Sequence, residues 1–216
     1  MLDGKLVKPH GKLIVLNLSI ATGLGYNGVD PKQPNRHLFN RLENISIHQV
    51  EFAPSPKAVM ESWNKNTASW LKRSVYVRII AITGSSSAAT YATYFISALW
   101  HGFRPGYYLT FMSAALITFC GRKLRRHLRP LFLETSKFYF LKPIYDVLGW
   151  FGTLFLANYA VFPFFCYTIE RSLHLWRSVY FAGHILMLTI LIFFSNKKTL
   201  AAIDKLRRQS LIKKQD

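Results

Sequence analysis

A histidine at the end of a long uncharged stretch is the feature of this sequence with the most chemical potential. In Ser97-Ala98-Leu99-Trp100-His101-Gly102-Phe103-Arg104-Pro105-Gly106-Tyr107-Tyr108 an imidazole is followed at once by residues that break a helix. A neutral imidazole can take a proton from a hydroxyl and return one to a leaving group. Burying it in an apolar segment is costly unless it is neutral and paired. Gly102, Pro105 and Gly106 allow a tight break directly after the ring, which would hold it on a bent, immobile helix end. A structural hydrogen bonder or an interfacial histidine has the same signature, and composition does not choose between them. The second candidate is Asn64, in Trp63-Asn64-Lys65-Asn66-Thr67. It reads equally well as a helix cap, as do Asn66 and Thr67. Nothing in the spacing shows that Asn64 meets His101.

Competing chemistries leave no trace. There is no GxxxxGK[ST] loop, HExxH helix or GxSxG elbow. The paired intramembrane acids of a proton-coupled transporter are lacking. Cys120 and Cys166 each fall in an apolar run without metal spacing or a disulfide pattern, and read as small buried side chains. No metal site is expected.

The elements that must position these residues follow from charge and hydropathy. The chain has 216 residues, 50% of them hydrophobic and 15% aromatic, with 28 Lys+Arg against 10 Asp+Glu and a net charge of +18. That balance excludes an average soluble domain, and the apolar content excludes disorder. A basic chain prompts a nucleic-acid reading, but the basic residues cluster between long uncharged runs, so no nucleic-acid partner is expected. Ile79–Phe103, Pro105–Gly121, Val147–Ile169 and Ser178–Asn196 carry no Asp, Glu, Lys or Arg. The pattern predicts an all-α, polytopic transmembrane helix bundle with four spanning or deeply buried helices. The apolar piece over residues 13–22 is short and polar-interleaved, and is read as a membrane-buried segment rather than a signal peptide. It ends in the glycine-rich turn Gly23-Leu24-Gly25-Tyr26-Asn27-Gly28. Residues 29–58, with Pro31, Pro34, Pro54 and Pro56, read as a loop.

Within Ser62–Arg78, Trp70, Leu71 and Ser74 share a helical face with Trp63, and Lys65, Lys72, Arg73 and Arg78 supply a polar side. This predicts one amphipathic helix suited to a membrane interface. Residues 1–58 are thus expected as a polar amino-terminal region with a short buried segment. Residues 59–196 form the helical core and residues 197–216 a basic tail. Arg122–Arg129 and Lys197–Arg208 are separated by two apolar runs, so both clusters lie on one side, which the positive-inside rule makes cytosolic. Lys72, Arg73 and Arg78 come out on that side too. The tail can attract anionic membrane lipids.

At these residues the sequence resembles the membrane-bound O-acyltransferase (MBOAT) family, in particular its lysophospholipid acyltransferases of the fungal broad-specificity type. Four blocks carry the likeness, in family order: Gly23–Gly28; Ser62–Thr67 with Trp70-Leu71; Ser97–Gly102 with Pro105–Tyr108; and Trp176–Phe181 with Gly183-His184. The resemblance covers the carboxy-terminal half of the family's longer chains. It implies that His101 matches the catalytic histidine and Asn64 the asparagine that works with it. It implies transfer of an acyl group from acyl-CoA, the co-substrate, to the free hydroxyl of a lysophospholipid, at the endoplasmic reticulum and without cofactor. Trp100, Arg104, Tyr107, Tyr108 and His184 become candidate substrate-binding residues. Each has a plainer reading: aromatic belt or core for the rings, an interfacial anchor for Arg104, helix packing for His184. A separate amino-terminal half is an implied partner. The alternatives are a non-catalytic fragment that binds lipid or a partner, and a family enzyme with a sterol, diacylglycerol or protein acceptor.

Overall fold

The structure, a computed structural model, describes residues 21–211. The segment expected over residues 13–22 falls almost wholly outside that range. The chain divides into two compact units, Met1–Ser46 and Ile47–Asp216. In the first, the glycine-rich turn leads into a short antiparallel hairpin, β1 (Val29–Asp30) and β2 (Gln33–His37), where a loop was expected. The Asp30 carboxylate accepts the Lys32 amide at 2.9 Å and closes the turn. The Asn27 side chain donates to that of Asn40 at 2.9 Å. β2 is exposed throughout, so no hydrophobic alternation announces it.

The second unit is helical: α1 (Ile47–Glu51), α2 (Pro56–Trp63), α3 (Lys65–Leu71), α4 (Val77–Thr83), α5 (Ser86–His101), α6 (Pro105–His127), α7 (Lys142–Cys166), α8 (Ile169–Ser178), α9 (Ala182–Phe193) and α10 (Lys197–Ser210). The stretch 47–58, read as loop, holds α1 and the start of α2, so the expected boundary after residue 58 falls inside a helix. Ser55 caps α2 by accepting the Ala58 amide at 3.3 Å, with Pro56 behind it. The Trp150 indole donates to the Glu51 carbonyl at 2.6 Å and Phe52 stacks on Trp150, which ties α1 to α7.

The amphipathic helix expected over Ser62–Arg78 is interrupted. The backbone breaks at Asn64 (φ −133°, ψ 69°), and a π-helical turn at Lys72–Tyr76 joins α3 to α4. Trp63 and Trp70 are exposed while Leu71 is buried, so the shared face holds for the tryptophans alone.

α6 is the central helix, with α5, α7 and α9 packed around it. Small buried residues let backbones approach: Ala89, Thr90, Ser97 and Ala98 on α5, and Gly106, Ser113 and Ala115 on α6. Ile117 and Cys120 of α6, Leu156 and Ala160 of α7 and Met187 of α9 form the apolar core. α6 does not stop at the uncharged run but continues through Arg122–Arg126. The first two cations find partners there. Arg122 donates to the Thr90 hydroxyl at 2.7 Å. Lys123 donates to the Phe194 carbonyl at 3.2 Å, a cation at the carboxy-terminal end of α9. The basic tail is also helical: Asn196 caps α10, and the Lys137 amide donates to the Ser210 carbonyl at 2.9 Å, pinning its end ahead of α7.

Among the described residues one helical stretch, Tyr139–Cys166, is long and apolar enough to cross a membrane. α8 and α9 meet the same requirement together but are bent by 78°, and of the run expected over Ser178–Asn196 only Ala182–Phe193 is the helix α9. Tyr180 and Phe181, both at φ 52°, make that bend. α5 is 16 residues long and α6 runs into charge, which takes both below that measure.

Candidate active site

The end of α5 is fixed by Gly102. Its φ of 119° and ψ of −171° lie in a region open essentially to glycine alone. Its amide donates to the Ala98 and Leu99 carbonyls at 3.2 and 3.0 Å, closing the last turn beneath His101. α6 begins at Pro105, and the Gly106 amide donates to the Tyr167 carbonyl at 2.9 Å. A Cβ on Gly106 would stand 2.1 Å from the Pro163 carbonyl oxygen, so glycine is needed for the start of α6 to touch the end of α7. The sequence predicted a tight break after His101. The structure adds what the break is pressed against.

The His101 ring is half-buried in a cage of aromatic rings. Phe111 stacks on it at 5.1 Å, with 22° between the planes. Trp100 and Phe164 meet it edge-on at 4.8 and 5.1 Å, and Tyr107 lies at 5.9 Å. Among the described residues no hydrogen bond or ion pair engages the imidazole. No neighbouring side chain among the described residues therefore takes up its nitrogens. Trp100 is 60% and Phe103 86% exposed, which makes one side of the cage an open apolar rim.

The sequence-predicted residues separate on this geometry. Trp100 and Tyr107 touch His101. Arg104 joins the same end through Tyr167: its guanidinium lies 4.3 Å over that ring, which in turn lies 6.0 Å from Tyr107. Tyr108 packs on Phe95 of α5 and not on His101. His184 is engaged elsewhere, its Nδ1 2.6 Å from the Tyr159 hydroxyl and its ring edge-on to Trp176 at 4.5 Å. The Trp176 indole donates to the Tyr159 carbonyl at 3.3 Å. That is the helix-packing role weighed for His184, and it has no contact with the His101 cage. Asn64 stands at the α2–α3 break, its carbonyl accepting the Ala68 amide at 2.8 Å.

Phe111, Phe164 and Tyr167 were not anticipated. Phe111 follows Tyr107 by one helical turn and was legible as its neighbour on one face. Phe164 and Tyr167 arrive from α7, and no local pattern points to them. Among the described residues no group of three or more His, Cys, Asp or Glu side chains gathers to hold a metal.

Residues 4–169 match the family model of MBOAT, the membrane-bound O-acyltransferase family, and the chain belongs to that family. It is 39% identical over 183 residues to the lysophospholipid acyltransferase of Schizosaccharomyces pombe, a match covering 82% of this chain and 35% of that protein. It is 42% identical over 172 residues to the lysophospholipid acyltransferase of Saccharomyces cerevisiae, covering 78% and 28%. Human membrane-bound glycerophospholipid O-acyltransferase 2 is 38% identical over 179 residues, covering 83% and 32%. The chain thus spans about a third of the length of the relatives it matches, less than the half expected.

Proposed function

We propose that this chain carries the reaction-centre segment of a lysophospholipid acyltransferase, with His101 as the proton-transfer group. The observation that carries this reading is the His101 imidazole: caged by aromatic rings, set at the helix end by Gly102, and engaged by no hydrogen bond among the described residues. The names of the fungal and human relatives supply the substrate class.

In the proposed reaction a lysophospholipid hydroxyl donates its proton to the neutral imidazole as its oxygen attacks the thioester carbonyl of acyl-CoA. The tetrahedral oxyanion collapses, the carbon–sulfur bond breaks, and the imidazolium returns the proton to the thiolate. A thioester is already activated, so neither a metal nor an enzyme nucleophile enters the step. Asn64 has two conceivable roles, orienting the imidazole or donating to the oxyanion. Arg104 is suited to a headgroup phosphate through its forked guanidinium, and Trp100 and Tyr107 to the apolar wall of the site. The water-poor cage would suppress hydrolysis of the thioester.

The same reading places the helices in a membrane as a polytopic bundle. α7 turns Val147, Leu148, Phe151, Phe155 and Phe162 outward, an apolar exterior suited to lipid. The basic ends of α6 and α10 then face the cytosol, and the endoplasmic reticulum is the compartment expected for phospholipid remodelling.

The test is acyl transfer by membranes expressing the chain in a host without its own lysophospholipid acyltransferases. Labelled oleoyl-CoA is offered with a panel of lysophospholipids, beside a His101→Ala control. Product that depends on His101 is expected. Undiminished product from His101→Ala membranes would overturn the mechanism. Inserted protein without product would favour the second reading, a lipid- or partner-binding segment that needs the remainder of the family fold; the chain's third-length match is the observation behind that alternative.

A further inference from the structure

At the opposite end of α6 from His101 lies a cavity of about 550 Å³ between α6 and α7 that the reaction does not use. Its inner wall is apolar, with Leu124, Leu156 and Ile190. Gly152 opens onto it: a Cβ there would meet no atom within 4 Å, so space rather than packing faces this glycine. The mouth is basic. Arg125 and Arg129, one helical turn apart in sequence, both border it and are both exposed. Among the described residues neither forms an ion pair. The acid on the rim, Asp146, is already engaged by Lys142 at 2.5 Å. Two uncompensated guanidinium groups therefore stand over an apolar slot.

We propose that this cavity binds one anionic glycerophospholipid, its headgroup phosphate between Arg125 and Arg129 and an acyl chain in the slot. The charge and the shape ask for an amphiphile. A free phosphate would leave the apolar slot unfilled, and a neutral or zwitterionic lipid would leave the guanidinium charge unmatched. Basic pockets between membrane helices on the cytosolic side hold anionic headgroups in this way, and the forked guanidinium matches phosphate geometry. Acyl-CoA fits less well. It brings a diphosphate, a further phosphate and an adenine to a mouth with two unpaired cations, and the aromatic rings there, Phe132 and Tyr145, stack on each other at 4.7 Å. The proposal does not depend on the role given to His101.

The experiment uses the whole chain in phosphatidylcholine nanodiscs, with phosphatidic acid carrying a diazirine on its acyl chain as the probe. Cross-links are expected on the peptides that contain Leu124 and Gly152. Unlabelled phosphatidic acid should displace the probe, whereas inorganic phosphate and oleoyl-CoA at equal concentration should not. Arg125→Gln with Arg129→Gln should lower labelling by about 100-fold, the loss that follows removal of two charged hydrogen-bond partners. The Arg125→Lys, Arg129→Lys pair should retain most of it. Gly152→Phe should abolish labelling by filling the slot while helix content stays unchanged. Equal labelling by a phosphatidylcholine probe, displacement by phosphate, or displacement by oleoyl-CoA would each overturn the proposal in favour of a bare apolar groove, a simple anion site or a substrate channel. The displacement arms use the unmodified chain, so they decide the question even if a variant fails to fold.

Discussion

His101 and His184 both lie against α7, one on Phe164 and the other on Tyr159, yet the chain treats them in opposite ways. His184 is fastened. A ring nitrogen meets the Tyr159 hydroxyl, Trp176 closes over its edge, and a Cβ on neighbouring Gly183 would come within 2.5 Å of the Tyr159 ring. His101 is walled by rings but bonded by none of them. Both fall in sequence blocks that resemble the same family, so membership of a block does not separate the histidine proposed to react from a packing one. What separates them is whether a neighbouring side chain already uses the ring nitrogens.

The sharpest way to break this comparison is at the histidines themselves. His101→Ala should lower acyl transfer by at least about 100-fold, the low end of general-base contributions. His184→Phe should leave transfer within a few-fold, read with labelled oleoyl-CoA at matched protein levels. Loss of transfer in His184→Phe without loss of stability would put the two histidines in one class. Next in size is Gly106→Ala. Its Cβ must push the Pro163 carbonyl away, parting α6 from α7 at a cost of about 1–3 kcal/mol. The expected readout is a lower unfolding midpoint in detergent micelles together with reduced transfer, because Phe164 leaves the cage. A smaller effect is expected from Tyr159→Phe, which removes the partner of His184 and costs about 1 kcal/mol. Its midpoint should fall while transfer is kept; an unchanged midpoint would mean the bond contributes nothing. The smallest change has the opposite sign. Gly152→Ala sits mid-helix with open space around the new methyl, and should raise the midpoint by the equivalent of about 0.5–1 kcal/mol.

Local neighbours were legible in the sequence and distant ones were not. The His101 turn could be read because Trp100, Gly102, Pro105 and Tyr107 are consecutive or nearly so, and each restricts the backbone or offers a ring. Phe164 and Tyr167 depend on how α7 ends, with Tyr167 at a positive φ that its residue type does not suggest. The third apolar run lies mostly within α7, a long helix that begins before it at Lys142 and ends at Cys166. The second was read as ending at Gly121, but α6 continues, since Arg122 and Lys123 find polar partners on α5 and at the end of α9 that no local rule supplies. The fourth was read as starting at Ser178, but α9 starts only at Ala182, because Tyr180 and Phe181, ordinary apolar residues by composition, form the bend that precedes it. The break at Asn64 could be suspected from its capping chemistry, but the π-turn that follows leaves no mark in residue type.

The elbow between α8 and α9 bears on the bilayer itself. α9 has 12 residues, about 18 Å of helix at 1.5 Å per residue, against a hydrocarbon core of about 30 Å. α8, turned 78° away and carrying Glu170, Arg171 and Arg177, lies across the direction of α9 rather than extending it. With α9 set along the membrane normal, lipid beside it would have to shorten to meet its apolar length, a mismatch that costs fractions of a kcal/mol per Å. A dimple in the leaflet at that point would bring headgroups and water toward the level of α8, and a chain that dimples its bilayer would favour the thinner membranes of a cell over the thicker ones.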